Sequence, residues 1–148
     1  MILEESPIGF HVEDVAFEWT SIQDISRWLC QVFRAEGCTL KQVHLIACSD
    51  DYLLQMNRQH LDHDYYTDIL TFYYSEDAID GELYISIERV KDNAHQLDIP
   101  ELNELHRVIV HGALHLCGHD DQTREEKQKM RDLEELYLGQ LTLSNPGA

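Results

Sequence analysis

Two histidines spaced four residues apart, followed by a glycine, form the part of this sequence best suited to hold a metal ion. His111 and His115 share one face of any helix that contains them, because an α-helix turns once in about 3.6 residues. Both imidazoles can therefore reach the same ion. We expect the helix to end at Leu116 and the chain to turn at Gly118, since glycine takes a positive φ without steric cost. The spacing thus predicts two metal ligands near a helix end.

The residues after the predicted turn are candidates for a third ligand. His119, Asp120 and Asp121 can fold back toward the histidine pair once the chain has turned. Three protein ligands with an open fourth position are typical of a catalytic zinc site, where zinc activates a water molecule and polarises a carbonyl or phosphoryl oxygen. The alternative is a buried helix end whose histidines only form hydrogen bonds.

The residue after the first histidine argues against a peptidase. In HExxH metalloproteases that residue is a glutamate, which acts as general base. Gly112 occupies the position here, so this base is absent although the ligand spacing resembles that of a metzincin. The segment therefore favours a metal-dependent hydrolase that does not cleave ordinary peptides.

The composition is that of an ordinary globular protein. The chain has 148 residues, 43% hydrophobic and 26% charged, which predicts one domain over residues 1–148 with a flexible tail at 143–148. No apolar run approaches the ~20 residues that span a bilayer, and no basic start precedes an apolar segment. The four cysteines form no CxxC pair. We therefore expect a cytoplasmic protein with no membrane partner.

The negative charge argues against nonspecific binding to nucleic acid. Eleven Lys and Arg residues stand against 28 Asp and Glu residues, which gives a net charge of −17. Because nonspecific binding depends on cations that neutralise phosphates, contact with a nucleic acid would need a local basic patch. A bound zinc ion would itself add positive charge at the site.

Hydrophobic periodicity predicts an α+β fold in which a small mixed sheet is packed by helices, with the metzincin-like zinc motif at the end of a C-terminal helix. Ser21, Ser49 and Thr123 resemble helix N-caps, and Asp80-Gly81 resembles the turn before an antiparallel strand. Leu102 is expected on the buried face of the helix that carries the histidines. Strands are predicted at residues 8–12, 43–48, 69–74 and 82–86, and helices begin near residues 21, 49, 86, 100 and 123.

Three separate segments resemble one known family. The HGALHLCGHD segment at residues 111–120 looks like the metal signature of the YbeY family, which are zinc-dependent endoribonucleases of bacterial rRNA maturation. Asn57, TDILTF at 67–72 and GELYIS at 81–86 resemble the family's asparagine and its TDVLSF and GDI-x-IS strands, in the same order. The resemblance runs from about residue 45 to 121.

The resemblance implies a single metallohydrolase domain with one zinc per chain. It also implies a single-strand endoribonuclease that processes the 3′ end of small-subunit rRNA and serves in ribosome quality control. Its partners would be rRNA or an rRNA precursor and the small ribosomal subunit or its assembly proteins. The implied mechanism is attack on a phosphodiester by water that zinc activates on His111, His115 and Asp121.

Two positions depart from the family pattern. The family usually has a histidine ten residues after the first ligand, and this chain has Asp121 there. A carboxylate is a competent zinc ligand, and His119 is the alternative. The arginine that the family uses near its active site falls on Leu61, which cannot hold a phosphate. Arg58, one turn earlier, is a candidate catalytic substitute or a solvated surface charge.

Other polar and aromatic residues are candidates for substrate binding. Asp68 would support the metal or contact substrate, or would instead cap the turn into its strand. Tyr73, in the pair with Tyr74, would stack on a nucleobase, or one of the two would enter the core. His60 and His63 are acid–base candidates or surface histidines of a polar loop.

Two other functions remain alternatives. One is a zinc-containing ribosome-assembly factor without catalysis, because the arginine is missing. The other is a metal-dependent hydrolase of a different substrate. Cleavage of an rRNA precursor separates the nuclease from the first alternative, and activity on peptides or small esters would favour the second.

Overall fold

Strands and helices alternate along most of the chain. The computed structural model describes residues 6–61 and 67–143, and within these ranges we find four strands and five helices. This confirms a mixed α+β fold, while all but the first residue of the predicted tail lies outside the described residues. No described helix has the length and apolar character needed to cross a membrane. The elements are β1 (Ile8–Val12), α1 (Ile22–Ala35), β2 (Leu40–Cys48), α2 (Asp50–Leu61), β3 (Ile69–Tyr73), β4 (Ile79–Ser86), α3 (Ile87–Leu97), α4 (Glu101–Leu116) and α5 (Arg124–Leu138).

The four strands form one mixed sheet in the order β1-β2-β4-β3. β1 pairs with β2 and β2 with β4 in parallel, while β3 pairs with β4 in antiparallel orientation. The predicted antiparallel pair is therefore confirmed. The second half of β2 is buried almost continuously, as expected for a strand with parallel neighbours and helices over it.

The predicted turn at Asp80-Gly81 is wrong, because both residues lie within β4. Gly81 pairs with Tyr73 of β3. A Cβ at Gly81 would clash with the Phe72 carbonyl oxygen and would lie 3.1 Å from Cδ2 of Leu116. The glycine thus permits close approach of β3 and of the end of α4, instead of a reversal of the chain.

The two faces of the sheet carry different helices. Ile69 of β3 and Leu83 of β4 point at Gly112 of α4, where a Cβ would lie 3.0 Å from Cδ2 of Leu83. Leu70, next along β3, points the other way and packs with Leu53 of α2. Since side chains alternate along a strand, α4 and α2 lie on opposite faces. Tyr73, which has the same parity as Ile69, is on the α4 face.

The sequence predicted two of three helix caps correctly. Ser49 accepts a hydrogen bond from the Tyr52 amide at 3.0 Å, and Thr123 forms a capping box with Glu126. Ser21 does precede α1, but it has φ 55° and its side chain caps nothing. The prediction for Leu102 is also wrong, since this residue is 48% exposed.

Candidate metal centre

The end of α4 positions the histidine pair and turns the chain beyond it. The helix ends at Leu116, and Gly118 has φ 98°, as the sequence predicts. The amide of Gly118 donates to the His115 carbonyl at 3.0 Å, and the amide of His119 donates to the Leu114 carbonyl at 3.0 Å. This pair of bonds is a Schellman motif, which requires the left-handed conformation of the glycine. The turn directs the following residues back over the last turn of α4.

His111, His115 and Asp121 converge on one point. The two Nε2 atoms of the histidines lie 3.1 Å apart. Asp121 Oδ2 lies 3.4 Å from Nε2 of His111, and its Oδ1 lies 3.6 Å from Nε2 of His115. These side chains are partly exposed, at 20%, 25% and 34% respectively, so the point where they converge is open to solvent. We call this point the open centre. One ligand atom from each residue lies within 4.8 Å of the others, the only such His, Cys, Asp and Glu group found among the described residues.

The spacing of these atoms fits zinc. Tetrahedral zinc with ligand bonds of about 2.0–2.2 Å places its ligand atoms about 3.3–3.6 Å apart. The two Nε2 atoms lie 3.1 Å apart, and they lie 3.4 and 3.6 Å from Oδ2 and Oδ1 of Asp121, so these separations are close to the range. Two imidazoles and one carboxylate are a ligand set found at catalytic zinc sites, with the fourth position left to solvent or substrate.

The position of Gly112 gives a structural reason for the absence of a protease base. Gly112 faces Ile69 and Leu83 in the sheet, which a Cβ would contact. A side chain there would meet the sheet instead of a substrate. The arrangement therefore supports a hydrolase that relies on the metal ligands and their polar surroundings.

Glu134 of α5 holds the first histidine in place. Nδ1 of His111 lies 2.6 Å from Oε2 of Glu134, which leaves Nε2 of His111 facing the other two ligand atoms. Burial alone would raise the pKa of Glu134, but the bond from His111 and the charge of Arg107 hold it below its ordinary value. Glu134 is therefore a carboxylate at neutral pH, and it fixes the tautomer in which Nε2 is free to bind a metal.

Arg107 links this carboxylate to two further acids. Its guanidinium binds Glu104 through two bonds of 2.8 and 2.6 Å, and it lies 3.2 Å from Glu134 and 3.8 Å from Asp68. Asn93 donates to Asp68 at 3.3 Å. Burial raises the pKa of Asp68, although the charges of Arg107 and His111 lower it in part. Asp68 thus joins the polar network behind His111.

The network is short of positive charge. It places the carboxylates of Asp68, Glu104 and Glu134 around the guanidinium of Arg107, and His111 adds the carboxylate of Asp121 on its other side. Burial and the neighbouring His111 lower the pKa of His115, so this ligand is neutral at neutral pH. A divalent cation at the convergence point would offset the excess of negative charge.

The alternative ligand His119 points elsewhere. Its Nε2 lies 2.6 Å from Oε1 of Glu36, at the end of α1, and the hydroxyl of Tyr137 on α5 donates to the other oxygen of Glu36. The structure thus brings Asp121 to the histidine pair, and His119 instead ties the ligand loop to α1 and α5.

The remaining candidates lie on other elements of the fold, α2 and β3. Arg58 is exposed on α2, which packs on the opposite face of the sheet from α4. His60 is also exposed, with its ring centroid 6.0 Å from that of Phe72. Tyr73 is 67% exposed on the α4 face of β3. His63 and the side chain of Leu61 lie outside the described residues, so the structure does not test the roles predicted for them.

Sequence reasoning missed Glu104, Arg107 and Glu134. The first two had a detectable signal, because they precede His111 by seven and four residues and so share its helix face. Glu134 had none, since its contact with His111 depends on how α5 packs against α4.

Comparison with known proteins identifies the family. Residues 9–142 match the family model described as Endoribonuclease YbeY. Proteins named Endoribonuclease YbeY from Cytophaga hutchinsonii and Amoebophilus asiaticus are 46% and 41% identical over 138 residues, which is 92% of this chain and 96% and 94% of theirs. A Thermotoga maritima protein solved in solution matches with a TM-score of 0.63 and 27% identity, over 95% of this chain and 99% of that one. This chain therefore belongs to the YbeY endoribonuclease family.

Proposed function

We propose that this protein is a zinc-dependent endoribonuclease that cleaves single-stranded RNA during rRNA maturation, at the 3′ end of small-subunit rRNA. One zinc per chain would be held by His111, His115 and Asp121. The observation that carries the proposal is the convergence of the two Nε2 atoms and the Asp121 carboxylate, at 3.1–3.6 Å, in a partly exposed position. The names of the relatives supply the substrate class, and they agree with the lack of a peptidase base at Gly112.

The metal and the chain contribute different parts of the chemistry. Zinc, when bound, lowers the pKa of water at its open position to about 7 and polarises a phosphoryl oxygen. Glu134 keeps a proton on Nδ1 of His111 and orients the ring toward the open centre. Arg107 in turn holds Glu134 and Asp68 in place. The ligands are thus preorganised before the substrate arrives, which is how an electrostatic site acts on a developing charge.

Substrate binding is assigned to the open side of the centre. Tyr73 has an exposed ring on the face of the sheet that α4 covers, where it can stack on a base beside the scissile bond. Asp68 is the second candidate, acting through the network behind His111. We assign Arg58, on the far face of the sheet, at most a peripheral contact with the RNA backbone. The proposed setting is the cytoplasm, with the small ribosomal subunit or its assembly proteins as partners.

The test combines metal content with RNA cleavage. We expect the purified protein to contain about one zinc per chain and to cut an rRNA precursor that includes the 3′ end of small-subunit rRNA. His115→Ala should lose both zinc and cleavage, while His95→Ala, an exposed histidine of α3, is the matched control. Full zinc content in His115→Ala would refute the site.

The two alternative functions predict different outcomes. A zinc-loaded wild-type protein that leaves the precursor intact but binds the small subunit would be an assembly factor without catalysis. Zinc-dependent hydrolysis of peptides or small esters, with no cleavage of RNA, would indicate a different hydrolase.

A further inference from the structure

Positive charge is concentrated on one short stretch of this acidic chain. Four of its eleven Lys and Arg residues fall within residues 124–131, in the first half of α5. Arg124, Lys127 and Arg131 are exposed and line a surface groove of about 450 Å³ together with Gln128. Residues three and four apart lie on the same side of a helix. We call the surface formed by Arg124, Lys127 and Arg131 the α5 basic face.

The α5 basic face has no neutralising partner within the described parts of the chain. No carboxylate of residues 6–61 or 67–143 lies within ion-pair distance of Arg124, Lys127 or Arg131. By contrast, Arg107 and Arg89 each contact acids at 2.6 Å. Three like charges on adjacent turns repel one another, and a bound polyanion would relieve this repulsion.

The α5 basic face begins beside the candidate metal centre. Arg124 is three residues after Asp121, and α5 also carries Glu134, which holds His111. Lys127 is seven residues before Glu134, so the two positions differ by only about 20° around the helix and about 10 Å along it. The α5 basic face therefore starts three residues after one candidate ligand, on the same helix as the carboxylate that contacts another.

We propose that the α5 basic face binds the phosphate backbone of the single-stranded RNA substrate. This inference rests on the proposed nuclease function and adds the surface that guides the strand. The strand follows α5, crosses the open centre at His111 and His115, and places a base on the exposed Tyr73 of β3, a strand that α4 also contacts. The α5 basic face supplies the local basic patch that an acidic chain needs to bind a polyanion. It also supplies positive charge in place of the family's arginine, whose position is occupied by Leu61 in this chain.

The test compares two variants of equal charge. The first, Arg124→Gln/Lys127→Gln/Arg131→Gln, removes the α5 basic face. The control, Arg34→Gln/Lys41→Gln/Lys91→Gln, removes three exposed cations from α1, β2 and α3. The binding of a fluorescent single-stranded oligoribonucleotide is measured by anisotropy against salt, in a chelator so that no cleavage occurs. Steady-state cleavage by the zinc-loaded proteins is measured separately, and thermal unfolding confirms that each variant is folded.

We expect the first variant to weaken RNA binding about tenfold or more at low salt and to raise KM far more than it lowers kcat. Its log–log slope of affinity against salt should be smaller by about 2, since each phosphate contact to a single strand contributes about 0.7. The control variant should bind like the wild type.

Other results would overturn the inference. Equal losses in both variants would indicate a net-charge effect, and an unchanged affinity in the first variant would place the RNA elsewhere. Either result, with cleavage by the wild type intact, would leave the nuclease function standing. A wild type that neither binds nor cleaves RNA would refute both proposals.

Discussion

His111 and Glu134 are joined by a 2.6 Å contact between Nδ1 and a carboxylate oxygen, although they lie on different helices. The contact fixes which imidazole nitrogen faces the open centre. It also places a buried negative charge directly behind a candidate metal ligand, and such a charge raises the basicity of an imidazole. Packing of α5 on α4 is therefore part of the candidate site.

The first prediction concerns this carboxylate. Glu134→Gln keeps the shape of the side chain but removes its charge, so zinc affinity should fall about 10–100-fold. Titration with a competing chelator measures the change. Glu135→Gln, an exposed neighbour on α5, is the control and should leave affinity unaltered. If Glu134→Gln binds zinc as tightly as the wild type, the contact between His111 and Glu134 does not affect metal binding.

The second prediction distinguishes the two candidates for the third ligand. Asp121→Ala should strip most of the zinc, because only Asp121 reaches both Nε2 atoms, at 3.4 and 3.6 Å. His119→Ala should keep zinc but lose its contact with Glu36, at a cost of about 1 kcal/mol in unfolding free energy. Elemental analysis and urea unfolding measure the two effects, with Asp120→Ala as control. The reverse pattern of zinc loss would assign His119 as the ligand.

The sequence predicted that His111, His115 and Asp121 would converge, because their convergence depends on local geometry. A helical repeat places His111 beside His115, and one glycine turn returns Asp121 to them. Glu134 could not be predicted, since residues 23 apart meet only through tertiary packing. The role of Gly81 was also misassigned because it depends on tertiary packing. Locally, a glycine after an aspartate resembles a turn. The space it leaves for Phe72 and Leu116 becomes visible only once β3 and α4 are in place.

The third prediction tests that account of Gly81. Gly81→Ala should lower the unfolding free energy by about 1–3 kcal/mol, because the new methyl group meets the Phe72 carbonyl, which is backbone and cannot rotate away. Gly139→Ala is the control, since its Cβ would have no neighbour nearer than 3.4 Å. Urea unfolding of both variants measures the difference. Equal stability of the two would refute the close-approach argument.

The fourth prediction concerns acid stability and Glu36. Burial alone would raise the pKa of Glu36, but hydrogen bonds from Tyr137 and His119 hold it below its ordinary value of 4.5. A carboxyl whose pKa is lowered by folding stabilises the protein above that value, and the contribution is lost as the pH falls through the lower folded pKa. Glu36→Gln should therefore be less stable than the wild type at neutral pH, and the difference should shrink below pH 4.5.

Urea unfolding in a chelator, from neutral pH downward, measures this difference without interference from metal loss at acid pH. Glu125→Gln, an exposed site on α5, should show no comparable trend. A gap between wild type and Glu36→Gln that widens below pH 4.5 would contradict the assigned role of Glu36.

The last prediction returns an arginine to position 61. α2 ends at Leu61, and the ring of the preceding His60 packs edge-on against Phe72 of β3, so the end of this helix lies close to the edge strand. Tyr73, the next residue, is exposed on the α4 face. The family pattern that this sequence resembles has an arginine at position 61, where it would contact a phosphate of the substrate. A charge-assisted contact of this kind orients as well as binds, so Leu61→Arg should raise kcat in addition to affinity.

Gln59→Arg adds the same charge at an exposed position on α2 and serves as the control. Cleavage rate and the salt dependence of RNA affinity are compared for both variants and the wild type. A gain confined to Leu61→Arg would place position 61 beside the scissile phosphate. Equal gains would reflect only the added charge. Tight, salt-sensitive binding by the wild type with no gain from either arginine would show that the RNA backbone follows another surface. The α5 basic face is the candidate for that surface, because its first cation follows Asp121 by only three residues.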